Sequence, residues 1–267
     1  MGSLIHKVYG GLRLMRVCRD WPSWFREYFS KANDQRARMY RFRNGAVLHT
    51  RRNRSDLHMI DEIWAFRKYE YFGFCVAPRD VVVDIGANIG TFSVYAATIG
   101  RSSRVIAFEP HPENYALLCR NVEANNLCKV ECVNAGVAGE RGPCFLEVNA
   151  QNAGAHRLLI GKEVENATVC QVQTCTLPDV FEQYHLDTID YLKMDCEGAE
   201  FAIFGATPDN YLRRIKRISM ETHPVPGKSV VDFTSRLQQL GFGVRTFDGH
   251  RPYARLYARQ SKADSPS

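Results

Sequence analysis

From Asp80 onward the chain alternates short apolar runs with stretches of helical length, and this alternation limits the fold more than any other feature. VVVDIG (81–86), RVIAFEP (104–110), KVECVNAGV (129–137), DYLKMD (190–195) and RIKRISMETH (214–223) are the apolar runs. Strands of this kind are buried on both faces, as in a parallel sheet covered by helices. Between them lie GTFSVYAATIG, ended by Gly100, and PENYALLCRNVEANN, opened by Pro112 where a missing N–H costs nothing. GAEFAIFG (198–205) and a stretch at about 228–240 read as further helices, and GFGVRTF and YARLYAR as two closing strands. GPCFLEVNA and ATVCQVQTCTL read as an inserted hairpin. The prediction is an α/β fold: a doubly wound, seven-stranded, mostly parallel sheet with a helical and hairpin extension at the N-terminus.

Residues 1–35 suit one or two amphipathic helices, with Trp21, Trp24, Phe25, Tyr28 and Phe29 as their apolar part. YRFRNGAVLHTRR alternates on both sides of Asn44-Gly45, a hairpin signal. Ser55 is placed to cap a helix that carries Ile60, Ile63, Trp64 and Tyr71 at helical spacing. The expected division is an extension over 1–70, a ligand-binding domain over 71–260 and a disordered tail over 261–267.

Residues 1–70 hold 15 Lys+Arg against 7 Asp+Glu, whereas 71–267 hold 20 against 22. A basic arm suits an anionic membrane surface, a nucleic acid or an acidic acceptor, and equally a solvated helical face. No run of about 18 apolar residues could span a bilayer. Basic residues interrupt the apolar text near the start, so no secretory signal is expected. The nine cysteines are scattered without a CxxC pair. Free thiols in a reducing compartment follow, and with them a cytoplasmic location.

The first strand runs into Gly86-Ala87-Asn88-Ile89-Gly90. A dinucleotide loop would read G-x-G-x-x-G and a nucleotide-phosphate loop would end in G-K-[ST]. Here Asn88 replaces the middle glycine, no Lys follows, and Asp84 precedes the turn. A carboxylate there repels a pyrophosphate and suits a cationic, amino-bearing, phosphate-free ligand such as S-adenosylmethionine. Gly86 and Gly90 would let the backbone pass close to it. Glu109 ends the second strand about 20 residues on, where an acid can accept both ribose hydroxyls. Asn134, after the third strand, is placed near the adenine.

VVVDIGANIGTFSVYAA, VIAFEPHPENYALLCRNVEANN and above all DYLKMDCEGAEFAIF resemble the FkbM-type methyltransferases. The resemblance covers about residues 55–247. It implies a class I Rossmann-like methyltransferase fold, S-adenosylmethionine as donor, S-adenosylhomocysteine as product, and O-methylation of a sugar or natural-product hydroxyl. Donor contacts are expected from Asp84, Gly86, Asn88, Gly90, Thr91, Glu109, Pro110, Asn134 and Asp195.

Asp195, Glu197 and Glu200 follow the fourth core strand, and Glu221 and His223 end the fifth. Ligands of open α/β sheets sit beyond the carboxyl ends of the strands, so both groups should border one crevice. An aliphatic hydroxyl needs its proton drawn away, and a His is the natural base near neutral pH. The expected catalytic set is His223 as base with Asp195 or Glu221 orienting it; a turn-bonding role for His223 before Pro224 is the plainer alternative. No tight ligand spacing demands a metal; if one is bound, Asp195, Glu221 and His223 would hold it, and magnesium suits oxygen ligands. Glu197, Glu200 and Trp64 are the expected acceptor contacts, although one of the glutamates has reason enough as a charge at a helix start. Lys193 shares a strand face with Asp195, which suggests an internal ion pair. His58, His111, His156, His185 and His250 are read as surface or structural. The N-terminal arm should cover the acceptor, with Trp21, Trp24, Arg51, Arg52 and Trp64 available to stack on a ring or meet an anion. The expected partner is a small-molecule or glycolipid acceptor, with peripheral membrane contact through the basic arm. The rival readings are an RNA methyltransferase using that arm and a non-catalytic donor-binding protein.

Overall fold

The computed structural model describes residues 2–29, 34–52, 54–101, 103–148, 156–159, 168–247 and 254–261. His250 and all but the first residue of the expected tail lie outside them. Chain order begins with helices α1 (Gly2–Val17) and α2 (Trp21–Phe29), strands β1 (Asp34–Arg41) and β2 (Val47–Arg52), and helix α3 (Arg54–Ile60). The Asn44-Gly45 hairpin forms as expected: β1 and β2 pair antiparallel and Gly45 takes φ +93°. Helix α3 starts two residues earlier than a Ser55 cap would allow, so Ser55 lies in its first turn. Asp56 instead meets the preceding strand, its carboxylate accepting from the Arg51 backbone N–H and guanidinium. A π-turn (Asp61–Ala65) and a 3-10 stretch (Lys68–Gly73) complete this part.

The alternating region follows: β3 (Val81–Ile85), α4 (Thr91–Ile99), β4 (Arg104–Phe108), α5 (Pro112–Ala124), β5 (Val130–Val133), β6 (Gly136–Val137), β7 (Gly142–Glu147), β8 (Arg157–Leu159) and β9 (Val169–Cys175). Then come α6 (Leu177–Gln183), β10 (Tyr191–Met194), α7 (Glu200–Ala206), α8 (Asp209–Leu212), β11 (Arg217–Thr222), α9 (Val230–Gln239), β12 (Phe242–Phe247) and β13 (Ala254–Gln260). The main sheet has seven strands in the order β12-β13-β11-β10-β3-β4-β5, with β13 antiparallel to both neighbours and the other pairs parallel. This is the doubly wound, seven-stranded, mostly parallel sheet that the alternating apolar runs predict. Val82, Val83, Ile106, Leu192 and Ile218 are fully buried, which explains the unbroken apolar text of those strands. The expected inserted hairpin is larger than a hairpin: β6, β9, β7 and β8 make a separate four-stranded sheet.

Chain order reverses direction at β3, whose neighbours are β4 on one side and β10 on the other. Such a switch point opens a crevice at the strands' carboxyl ends. The N-terminal part is fixed around that crevice. The Asn125 side chain exchanges two hydrogen bonds with Val47, and Asn121 two with His49 and one with the Ile89 carbonyl. The Tyr257 hydroxyl donates to the Lys68 carbonyl at 2.6 Å and that of Tyr191 to the Tyr69 carbonyl. The boundary expected after residue 70 falls inside this 3-10 stretch.

Candidate active site

A cavity of about 820 Å³, counted to its open mouth, lies at the switch point. One end is walled by Gly86, Ala87, Asn88, Thr91, Glu109 and Pro110, the other by Asp195, Cys196 and Glu197.

The glycine loop is built by the fold before any ligand arrives. Gly86 has φ +74°, and a Cβ there would lie 1.9 Å from the Asp195 carbonyl oxygen. Gly90 has φ +81°, and its Cβ would meet Leu118 at 2.5 Å. The two glycines are therefore demanded by close packing against β10's end and α5, in addition to any ligand approach. Asn88 stands between them at φ +52°, a region Asn tolerates, with its side-chain oxygen accepting from the Ile89 N–H. Glu109 is buried and accepts from the backbone N–H groups of Asn88 and His111, each at 2.8 Å. Burial pushes its carboxyl up to about 7 against these bonds.

Three expected donor contacts, Asp84, Gly90 and Asn134, are not on the cavity wall. Asp84 is fully buried beneath the loop, where Ser93 donates to it at 2.6 Å and Lys193 pairs with it at 3.0 Å. Lys193, also bonded to the Gly86 carbonyl, is the group that reaches the cavity wall. The internal ion pair expected of Lys193 is thus present, and it occupies the carboxylate assigned to the ligand. Asn134 donates to the carbonyls of Glu109 and Pro110 and is not on the wall, so it braces the loop.

At the other end, Asp195 Oδ1, Glu197 Oε2 and His223 Nε2 converge: the His nitrogen is 3.8 Å from Asp195 and 3.5 Å from Glu197. Glu197 at φ +53° and Gly198 at φ +104° turn the chain back after β10. Glu200, fully buried, closes that turn by accepting from the N–H groups of Cys196 and Gly198, and it binds His223 Nδ1 at 2.9 Å. It is therefore a buried brace and not the acceptor contact expected. The Tyr69 hydroxyl donates to Asp195 Oδ2 at 2.6 Å.

The expected base is revised by its surroundings. Burial opposes charge on His223, yet the Glu200 hydrogen bond and the carboxylates of Asp195 and Glu197 hold its pKa at about 9. At that value the imidazole is protonated at neutral pH and has no lone pair to offer an acceptor. Glu221 is also displaced from the expected set. It is buried, paired with Lys68 and away from the cavity wall, and burial raises it to about 7. Glu197 takes its place beside Asp195 and His223, and burial likewise lifts Glu197 to about 7.

Trp64 is 4% exposed, stacked on Phe42 at 3.8 Å and edge-on to Tyr95, so it is a packing residue and not an acceptor contact. Trp24 is buried with its indole N–H on the Leu57 carbonyl, and Arg51 is tied to Asp56; neither meets the cavity. The side chain of Arg52 lies outside the described set. The extension reaches the cavity through other residues: Met59, Glu62, Ile63 and Tyr69. Lys68, which pairs with Glu62 at 2.9 Å as well as with Glu221, stands just behind. His156, read from the sequence as surface or structural, also belongs to the wall and is stacked at 4.2 Å on His111. None of these carries a sequence motif.

The profile of the family described as "Methyltransferase FkbM domain" matches residues 84–244. The chain is 28% identical over 169 residues to methyltransferase SdnD of Sordaria araneosa, covering 53% of this chain and 65% of that protein, just under two thirds of its length. It is 26% identical over 209 residues to the 31-O-demethyl-FK506 methyltransferase FkbM of Streptomyces tacrolimicus, covering 68% of this chain and 80% of that one. Among solved structures, a putative rRNA methylase from Clostridium thermocellum superposes with TM-score 0.49 at 13% identity, over 74% of this chain and 96% of that one.

Proposed function

Because the chain belongs to the FkbM methyltransferase family, a family of S-adenosylmethionine-dependent methyltransferases, we propose that its acceptor is a hydroxyl on a sugar, glycolipid or natural product. The observation that carries this reading is the single cavity in which the Gly86–Thr91 loop and Glu109 face the carboxylates of Asp195 and Glu197. The loop end suits the donor's ribose and amino-acid part. The carboxylate end suits a neutral, hydroxyl-bearing acceptor whose proton must leave.

The transfer is an in-line displacement. The acceptor oxygen forms the new C–O bond, the methyl–sulfur bond breaks with its electron pair on sulfur, and the hydroxyl proton passes to a carboxylate. Glu197 is the assigned acceptor of that proton, since it lines the cavity while Glu221 is locked to Lys68. Holding donor and acceptor in line can supply roughly 7–11 kcal/mol. The relative named as a 31-O-demethyl-FK506 methyltransferase supports an oxygen acceptor. The acidic wall disfavours a polyanion, which weighs against RNA. The test is to incubate the protein with deuteromethyl-labelled donor and fractionated polyol, glycolipid, amine and RNA acceptors. Label on an oxygen of a small acceptor is expected. Label confined to nitrogen or to RNA would overturn the reading.

A further inference from the structure

Three side chains at the acceptor end bring together atoms of metal-ligating type. Asp195 Oδ1, Glu197 Oε2 and His223 Nε2 belong to a group whose ligand atoms all lie within 4.8 Å of one another. Two of them are aimed by a neighbour. Asp195 has its second oxygen on the Tyr69 hydroxyl, so Oδ1 is the one left facing inward. His223 has Nδ1 on the fully buried Glu200, which directs Nε2 at the two carboxylates. A carboxylate behind the ring, fixing orientation and tautomer, is the usual outer partner of a metal-bound imidazole. Glu197 reaches in from a left-handed residue next to Gly198.

We propose that Asp195, Glu197 and His223 bind one divalent cation, with Glu200 as the positioning residue behind His223. The inference rests on the hydroxyl-acceptor reading above and deepens it. Three ligands on one side of the ion leave the opposite side open to the cavity, where an acceptor oxygen can enter. The ion would polarise the acceptor hydroxyl as a Lewis acid. Glu197 contributes one ligand oxygen, so its other oxygen stays available for the proton.

The donor set also selects the ion. Magnesium prefers all-oxygen surroundings and keeps several waters. An imidazole with two carboxylates suits a first-row transition ion better. The site is therefore expected to prefer manganese(II) over the magnesium that oxygen ligands alone would suggest. Glu221 is excluded because Lys68 holds it.

The experiment uses the full chain treated with EDTA and titrated with Mn²⁺, following loss of the free-ion EPR signal. One Mn²⁺ per chain is expected, retained under a tenfold excess of Mg²⁺. His223→Ala and Glu197→Gln should each weaken binding at least about tenfold, and Glu200→Gln by about 10–100-fold, all with unchanged S-adenosylhomocysteine affinity as a check on folding. Absence of stoichiometric Mn²⁺ binding, or equal binding by His223→Ala, overturns the site. Displacement by equimolar Mg²⁺ overturns the ion preference. If the metal-free protein still methylates a hydroxyl at the full rate, the inference falls while the acceptor reading stands. If Mn²⁺ binds through these residues but label goes to nitrogen or RNA, the acceptor reading falls and the site stands.

Discussion

Asp61 offers a stability test that is independent of the catalytic end. It sits in the π-turn against α1, 9% exposed, with Oδ1 shielded from water and without a hydrogen-bond partner. Burial, with a smaller push from Glu62, raises its pKa from 3.8 to about 7. The folded chain thus holds this proton more tightly than the unfolded chain does. Between the two values the native state binds more protons, so its stability falls as pH rises. The loss is complete above about pH 7. At about 1.4 kcal/mol per unit, the ionised carboxylate costs the fold about 4 kcal/mol. Asp61→Asn keeps the shape and removes the charge. Relative to wild type, it should gain roughly 2–3 kcal/mol between pH 5 and pH 8. For a chain of this size that is roughly 5–10 °C in melting temperature. Urea unfolding of both proteins at four pH values across that range reads the difference directly. A wild-type-to-variant difference that stays constant within about 0.5 kcal/mol would refute the buried-acid argument.

Other substitutions separate packing from ligand binding. Gly86→Ala must move the Asp195 carbonyl and should weaken S-adenosylhomocysteine binding at least about 100-fold, about 2.7 kcal/mol by calorimetry; near-native affinity would show that the loop adapts. Glu109→Gln should cost that ligand about 10–100-fold, the loss of charge-assisted bonds worth about 1.5–3 kcal/mol, and an unchanged affinity would remove Glu109 from the ribose site. Trp64→Ala should destabilise the fold by about 3–5 kcal/mol while leaving ligand affinity within about twofold, since its ring meets Phe42 and Tyr95; a selective loss of acceptor affinity would restore it to the site.

The strands were legible because β3, β4, β10 and β11 are buried on both faces, which leaves a continuous apolar signature. The hairpin was legible because Asn44-Gly45 supplies its turn locally. The site was legible only where local chemistry decided it, as at the Gly86–Gly90 loop and Glu109. Its pairings were not. Glu221 and His223 are two apart, which suggests a shared strand face, but β11 ends at Thr222 and the alternation stops there. His223 then turns to Glu200 while Glu221 stays with Lys68. Tyr69 reaches Asp195 across 126 residues of sequence, a distance over which no spacing rule operates. Asp84 was expected to face the donor because it precedes the glycine turn, yet Lys193 at the paired position of β10 holds it.

The placement of β13 also bears on where this chain can be cut. It is the last strand in sequence, yet it lies between β11 and β12 in the sheet. The stretch 84–244 that carries the family likeness therefore stops short of a strand needed to hold the C-terminal side of the sheet together. A transplant of that stretch into another scaffold would leave what remains of β12 without its partner and would omit Lys68 and Tyr69 behind the carboxylates. Chimeras meant to test the proposed acceptor preference should carry residues 59 to 260 as one block, because the modular unit of this chain is longer than the segment by which its family is recognised.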